Sequence, residues 1–320
     1  CPAGGVAGGW QLAMRSKSPY GPYEWKRVLE RGKTTMNGPH QGGWIHTKYG
    51  EDWFIHFQDK GPYGRVCHLQ PVDWSSGWPV MGNAGEPYWK FRKPKSDSKT
   101  IVNPVETDEF DSSKLGMQWQ WQNDYKESYG QATSMGFFRL FTYALPELGD
   151  VSNLWYVPNM LLQKTPADEF TATTKLSFCS RNSDQYVGLV CMSAEYSSVG
   201  LQRTEDGYEL QIRHNPNAMR THLTDEVLTV DTLKPTQKGT PRKGRPAEMH
   251  IKDVYLRMSI KDSKVNYAYS IDGKKWKKAG GEYAMGKGRW IGSKIGFFAV
   301  DPNKTGRKGF IDIDWFRISR

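Results

Sequence analysis

Glu51-Asp52-Trp53-Phe54-Ile55-His56-Phe57-Gln58-Asp59-Lys60-Gly61-Pro62-Tyr63-Gly64-Arg65-Val66-Cys67-His68-Leu69-Gln70-Pro71-Val72 reads as two strands around a tight turn. In the first run Trp53, Ile55 and Phe57 share one face, and Phe54, His56 and Gln58 share the other. In the second run Val66, His68 and Gln70 oppose Cys67 and Leu69. Period-two alternation on both sides of a Gly- and Pro-containing turn is the signature of a hairpin. Working outward, residues 48–52 make the preceding turn. From Gly42 to Gly82 the pattern predicts four short strands in about 40 residues, the size of one four-stranded propeller blade. Residues 10–16 and 26–29 predict the outer part of a preceding blade.

Composition agrees with strands rather than helices. The 320 residues include 33 Gly and 18 Pro, which helix interiors tolerate poorly and tight turns use. Aromatic residues make up 13% of the chain, so a packed core is expected and disorder is excluded. No run approaches the roughly 18 apolar residues of a membrane helix, so no membrane span is expected. The length suggests two domains at roughly 100–200 residues each.

Residues 89–105 are charged and contain Pro94 and Pro104, and they read as a linker. Beyond them strand follows strand. Phe170, Ala172, Thr174, Leu176 and Phe178 alternate with polar residues. Further runs lie at 185–192, 208–212, 254–260, 265–271, 295–300 and 310–318, and Asp272-Gly273 marks a hairpin turn. About 200 residues of spaced strands without helices predict a β-sandwich. The expected organisation is an incomplete β-propeller over 1–88, a linker over 89–105 and a β-sandwich over 106–320.

Two blades do not close a ring, and open blade edges expose unpaired N–H and C=O groups. Residues 1–88 are therefore expected to need partner blades, and the chain to be the C-terminal part of a longer protein. A small β domain that stands alone is the alternative. The chain opens on Cys1 rather than Met, and no charged segment precedes an apolar run, so no targeting signal is visible.

Several motifs resemble family 43 glycoside hydrolases, the β-xylosidases and α-L-arabinofuranosidases. They are Asn37-Gly38-Pro39-His40-Gln41-Gly42-Gly43, Trp53 to Asp59, Tyr63-Gly64-Arg65 and Gly77-Trp78-Pro79. Asp108-Glu109-Phe110-Asp111 followed by Trp119-Gln120-Trp121-Gln122-Asn123 resembles the start of the concanavalin-like sandwich that follows the propeller in many members. The resemblance implies an all-β chain: about the last two blades of a five-bladed propeller, then the sandwich. It also implies an inverting glycosidase that removes terminal xylose or arabinose from xylan or arabinoxylan oligosaccharides. Such an enzyme uses a general acid and a general base roughly 6.5–9.5 Å apart, with water between. In the family these carboxylates and a third, pKa-tuning one come from earlier blades. None of Glu24, Glu30, Glu51, Asp52, Asp59, Asp73 and Glu86 matches a catalytic position, so the chemistry is expected upstream of Cys1.

The substrate-binding candidates are His40, Gln41, Gln58, Asp59 and Arg65. His40 is expected at the start of an innermost strand, its ring toward the propeller axis. There the resemblance implies that it holds a channel ion, directly or through water, with Gln41 beside it. Arg65, at a loop-to-strand junction, suits fork-shaped hydrogen bonds to sugar hydroxyls or to a catalytic carboxylate. Trp44, Trp53, Trp74 and Trp78 are expected mostly to pack blade on blade, and sugar stacking is the alternative.

In the sandwich, Glu106, Asp108 and Asp111 near the start and Asp312 and Asp314 in the last strand are candidates for calcium, because first and last strands are often neighbours and clustered carboxylates suit that ion. Solvated turn acids are the alternative. Cys179 and Cys191 are expected to face each other across a hairpin as packed thiols, with a disulfide as the alternative. The chain carries 44 Lys+Arg against 34 Asp+Glu, a net charge of +10. Its densest basic run, Lys234, Lys238, Arg242, Lys243 and Arg245, lacks interleaved aromatics, so no nucleic-acid partner is expected. The charge suits acidic cell-wall polysaccharide instead. A secreted or periplasmic location is expected, with a cytoplasmic one as the alternative. A non-catalytic, lectin-like carbohydrate-binding protein is the second functional reading.

Overall fold

The computed structural model describes residues 1–145, 153–220, 223–242, 245–288, 290–303 and 306–320. The chain is all-β and divides into two compact units, Cys1–Val102 and Asn103–Arg320. The division falls inside the 89–105 segment. Among the described residues no helix is long and apolar enough to cross a membrane.

The first unit holds a three-stranded sheet, β1 (Pro2–Ala3), β2 (Trp10–Arg15) and β3 (Glu24–Leu29), and a four-stranded sheet. The latter is an antiparallel meander of β4 (Gly43–His46), β5 (Asp52–Asp59), β6 (Arg65–Asp73) and β7 (Val80–Met81). These are the four strands expected between Gly42 and Gly82. Val28 and Leu29 of the first sheet pack with Phe54 and Met81 of the second, so the two sheets share one core.

β5 differs from a half-buried strand. Register pairs Ile45 with Trp53, and Ile55 with both Gly43 and Leu69, so these residues share one face. The opposite face, Phe54, His56 and Gln58, is buried against the core. Trp53, on the first face, is buried too, because residues 91–95 fold back over it. Phe91 packs edge-on against its ring, and the Arg92 guanidinium bonds to Glu51 at 2.5 Å. Further along the same face Ile45, Ile55 and Leu69 stay 43%, 38% and 36% exposed, an apolar surface with no cover from this unit.

The second unit is a sandwich of two eight-stranded sheets. In chain order its strands are β8 (Gln120–Trp121), β9 (Gly130–Ala132), β10 (Phe138–Phe141), β11 (Tyr143–Ala144), β12 (Leu161–Lys164), β13 (Phe170–Ser180), β14 (Tyr186–Met192), β15 (Tyr196–Arg203), β16 (Tyr208–Asn215), β17 (Glu226–Leu233), β18 (Gln237–Lys238), β19 (Met249–Lys261), β20 (Lys264–Ser270), β21 (Lys277–Ala284), β22 (Lys294–Asp301) and β23 (Phe310–Ser319). One sheet runs β21-β20-β19-β13-β23-β10-β9, with β18 beside β19. The other runs β17-β16-β15-β14-β22-β12-β8, with β11 beside β22. The facing sides interdigitate: Phe178 lies 5.3 Å from Tyr208, and Phe316 lies 5.5 Å from Phe297, centroid to centroid. Tyr267 carries its hydroxyl across the core to the Ser197 carbonyl at 2.7 Å, which satisfies a buried polar group.

The start of this unit is clamped to its last strand. Asp108 and Phe316 exchange two backbone hydrogen bonds of 2.8 Å, and the Asp108 carboxylate takes the Trp119 indole N–H at 2.7 Å. Trp119 stacks on Phe110, so the stretch from Asp108 to Asn123 is the structural opening of the sandwich.

Candidate functional site

His40 lies in the loop before β4 rather than on a strand, which corrects the expected placement. The ring is 2% exposed, and its Nδ1–H donates to the Gly38 carbonyl at 2.6 Å. That bond puts the proton on Nδ1 and leaves the Nε2 lone pair as an acceptor or ligand. Two glycines set the position. Gly38 has φ +47°, and a Cβ there would meet the Val6 carbonyl at 2.1 Å; a Cβ on Gly9 would meet His40 Cε1 at 2.9 Å. Gln41 follows in the left-handed region at φ +53° and is exposed.

Phe57 joins His40 to Arg65. The His40 ring packs 5.6 Å from the Phe57 ring, and the Arg65 guanidinium sits 4.4 Å from the same centroid. A cation over a ring face is held by the ring quadrupole. Arg65 is exposed, so its fork of N–H groups is pre-positioned and still reaches solvent. Asp59 pairs in register with Arg65 across the hairpin. Its backbone is locked by Asn37, whose amide donates to the Asp59 carbonyl and accepts from its N–H, both at 3.0 Å.

Gln58 points to the other face and does not join this group. Its amide donates to the Thr35 carbonyl at 3.1 Å and accepts from His68 Nε2 at 3.1 Å. His68 stacks on His56 at 5.5 Å. Burial pushes the His56 imidazole down to about 4, and burial also lowers His68, so both rings stay neutral at pH 7. Thus His40, Asp59 and Arg65 gather around one face of the hairpin, while Gln58 has a structural hydrogen-bonding role behind it.

The carboxylates of this unit are engaged. The Lys95 backbone N–H at 2.8 Å, with Arg92 beside it, holds Glu51 below the usual carboxylate range. The His46 ring at 2.8 Å, with the Trp44 indole N–H, does the same for Asp52. Asp73 is lowered by Ser75 and Asp97 by Lys48. Glu24 pairs with Arg15 and Glu30 with Arg27. A glycosidase general acid needs the opposite, a carboxyl whose pKa is raised. Of the four candidate tryptophans, Trp53 is buried and Trp78 lies under Arg15 at 4.1 Å. Trp44 and Trp74 form an exposed edge-on pair at 5.8 Å.

The sandwich acids meet nitrogen donors. Asp312 forms a two-pronged pair with Arg139 at 2.7 and 2.8 Å, and Asp314 pairs with Lys175 at 2.9 Å. Asp108 accepts from Phe110 N, Gln118 Nε2 and Trp119 Nε1. Glu106 pairs with Arg320, and Asp111 is exposed. A hard cation needs several free carboxylate oxygens on one point, and oxygens given to these donors do not fit that arrangement.

Cys179 and Cys191 are both buried free thiols and do not face each other. β13 and β14 lie in opposite sheets, so residues 181–185 carry the chain across the sandwich instead of folding a hairpin. Lys234, Lys238, Arg242 and Arg245 are exposed, and Lys238 pairs with Asp206; Lys243 lies outside the described residues. The sequence reading missed Phe57 as the shared ring and Asn37 as the lock on Asp59. Asn37 directly precedes the left-handed Gly38, and that dipeptide was the available signal.

Residues 107–319 match the family model described as Beta xylosidase C-terminal Concanavalin A-like domain, and residues 1–79 match the model Glycosyl hydrolases family 43. A putative beta-xylosidase of Xylanibacter ruminicola is 33% identical over 302 residues, covering 92% of this chain and 51% of that protein. A beta-xylosidase of Formosa agariphila is 29% identical, covering 96% of this chain and 52% of its own length. The chain therefore spans about half the length of the curated relatives it matches. Among solved structures, the xylan beta-1,4-xylosidase from Bacillus halodurans C-125 superposes with a TM-score of 0.80 at 19% identity, over 100% of this chain and 62% of that one, which shows a shared fold.

Proposed function

We propose that this chain, which belongs to glycoside hydrolase family 43, is the C-terminal part of an inverting glycosidase that releases terminal xylose or arabinose from hemicellulose oligosaccharides. The observation that carries the location of the chemistry is the state of the carboxylates in residues 1–102. Those with shifted pKa values, Glu51, Asp52, Asp73 and Asp97, are all held ionised, and none is set up as a general acid. We place the acid, and with it the base, in protein outside residues 1–320, since no carboxylate of residues 1–102 matches a catalytic position of the family motifs.

In that reading the two small sheets are blades of a five-bladed propeller. The exposed face of Ile45, Ile55 and Leu69 supports it, since an apolar patch left open by its own unit suits a neighbouring blade. The remaining blades bring a base that draws a proton from water and an acid that protonates the leaving sugar oxygen. This chain supplies positioning. Arg65, steadied on Phe57, offers two parallel N–H bonds to sugar hydroxyls or to a catalytic carboxylate. Gln41 and Asp59 border the same loops, and His40 turns Nε2 toward an ion, a water or a carboxylate. The same reading puts the enzyme's work outside the cytoplasm, secreted or periplasmic. The longer protein is expected to hydrolyse an aryl β-xyloside with the released xylose first appearing as the α anomer by proton NMR. First appearance of the β anomer would contradict the inverting assignment.

A second reading, a carbohydrate-binding sandwich, is favoured by one feature. A cleft of about 270 Å³ is lined by Gln122, Trp155, Trp290 and Lys294, combining aromatic faces with amide and ammonium donors. In this reading Trp290→Ala weakens xylo-oligosaccharide binding to the chain, as measured by calorimetry. An unchanged affinity would remove it.

A further inference from the structure

At one end of the first sandwich sheet, strand register gathers three different metal-binding side chains. Cys179 and His250 are direct cross-strand partners on β13 and β19, so their side chains leave the sheet on the same face. Glu248 precedes His250 by two residues and falls on that face as well. Cys179 Sγ lies 3.5 Å from His250 Nε2, which lies 2.9 Å from Glu248 Oε1, and the three atoms are all within 4.8 Å of one another. Among the described residues no other group of three His, Cys, Asp or Glu side chains comes together this way.

We propose that Cys179, Glu248 and His250 form a site for a zinc-class divalent cation, with water as the fourth ligand. Thiolate, imidazole and carboxylate together are a borderline-soft donor set that suits zinc or cobalt and not calcium or magnesium. With Zn–S about 2.3 Å and Zn–N about 2.0–2.1 Å, a tetrahedral ion places sulfur and nitrogen roughly 3.5 Å apart. The observed separation is 3.5 Å. The nitrogen-to-oxygen edge of such a tetrahedron is roughly 3.4 Å, so the half-exposed Glu248 carboxylate has to move outward by a few tenths of an ångström.

The surroundings suit this use. Arg181 Nε donates to Glu248 Oε2 at 2.8 Å, which orients the carboxylate and leaves Oε1 for the ion. His250 and Glu248 keep 28% and 39% side-chain exposure, while Cys179 is buried. The ion enters from solvent and meets the thiol at the base of the site. On binding, the Cys179 S–H bond breaks, its proton goes to solvent and the sulfur lone pair bonds to the metal. The Nε2–H that His250 gives to Glu248 Oε1 moves to Nδ1 through solvent, which frees the Nε2 lone pair and Oε1 for the ion with no further net proton release, and no electron transfer is involved. The ion would tie β13 to β19.

The test uses the full 320-residue chain, stripped of metal and titrated with Co²⁺ alone. One equivalent is expected to produce thiolate-to-cobalt charge-transfer absorption, release about one proton and give way to Zn²⁺. Zn²⁺ is expected to raise Tm. Cys179→Ser should abolish the absorption, and His250→Gln should weaken Co²⁺ binding by at least about tenfold, the loss that even outer-shell changes cause. Absence of the band at one equivalent would overturn the site. So would a band that survives Cys179→Ser, which would put the metal on the exposed Cys1 or Cys67. Should Cys179→Ser not fold, His250→Gln decides: undiminished binding there overturns the assignment equally.

Discussion

The Arg65 guanidinium rests 4.4 Å above the centroid of Phe57, on a ring that His40 also touches. One buried aromatic thus positions an exposed cation at the start of β6 and a buried imidazole in the loop before β4. This makes Arg65 the most direct handle on what the first unit does.

In the longer protein, Arg65→Ala should lower kcat/KM on aryl β-xyloside. Loss of charge-assisted hydrogen bonds worth about 1.5–3 kcal/mol corresponds to roughly tenfold to a hundredfold. Because Arg65 is exposed, Tm should barely move. Arg65→Lys should recover little, since an ammonium lacks the planar fork. Unchanged kinetics in both variants would remove Arg65 from the site.

His56 should make stability pH-dependent above the carboxylate range. Its folded pKa of about 4 lies below the ordinary 6.5, so the folded state binds its proton more weakly than the unfolded state does. The stabilisation is fully present above pH 6.5 and is lost as pH falls toward 4, by about 3 kcal/mol at most. Unfolding midpoints between pH 7 and pH 4 should therefore fall more steeply for the native protein than for His56→Gln. Parallel curves would contradict the neutral, buried assignment.

Thiol counting separates the cysteines. Cys1 and Cys67 are exposed, whereas burial pushes both Cys179 and Cys191 up to about 12. Two thiols should react with an aromatic disulfide reagent in the native, metal-free protein, and four after denaturation without reductant. Two after denaturation would indicate a disulfide and contradict the opposite-sheet placement.

Asp312 acts in the structure as a partner for Arg139. Asp312→Ala should cost about 1.5–3 kcal/mol, the range for hydrogen bonds to charged groups, and millimolar Ca²⁺ should not shift the native Tm. A calcium-dependent rise that Asp312→Ala abolishes would show that these acids open to bind the ion.

How much was readable from the sequence depended on burial geometry. In β13 one face is core and the other solvent, so Phe170 to Phe178 alternate visibly, and strand and sandwich followed. β5 also alternates, but Trp53 is covered by Phe91 and Arg92, and no local pattern reveals a cover supplied some forty residues later. Strands of two to four residues, such as β8 and β12, are too short to show a period. The link between β13 and β14 was misread because turn residues mark a reversal without saying whether the chain returns in its own sheet or crosses to the facing one. In the site, residue type pointed to His40 and Arg65. Their union through Phe57 is a tertiary contact and leaves no mark in spacing.

The most direct test of the central claim is hydrolysis of aryl β-xyloside and aryl α-L-arabinofuranoside by residues 1–320 alone, beside the longer protein. The account predicts turnover by the longer protein and none by the 320-residue chain, with circular dichroism showing that chain folded. Clear turnover by residues 1–320 would contradict it, because the acid and base would then lie within this chain.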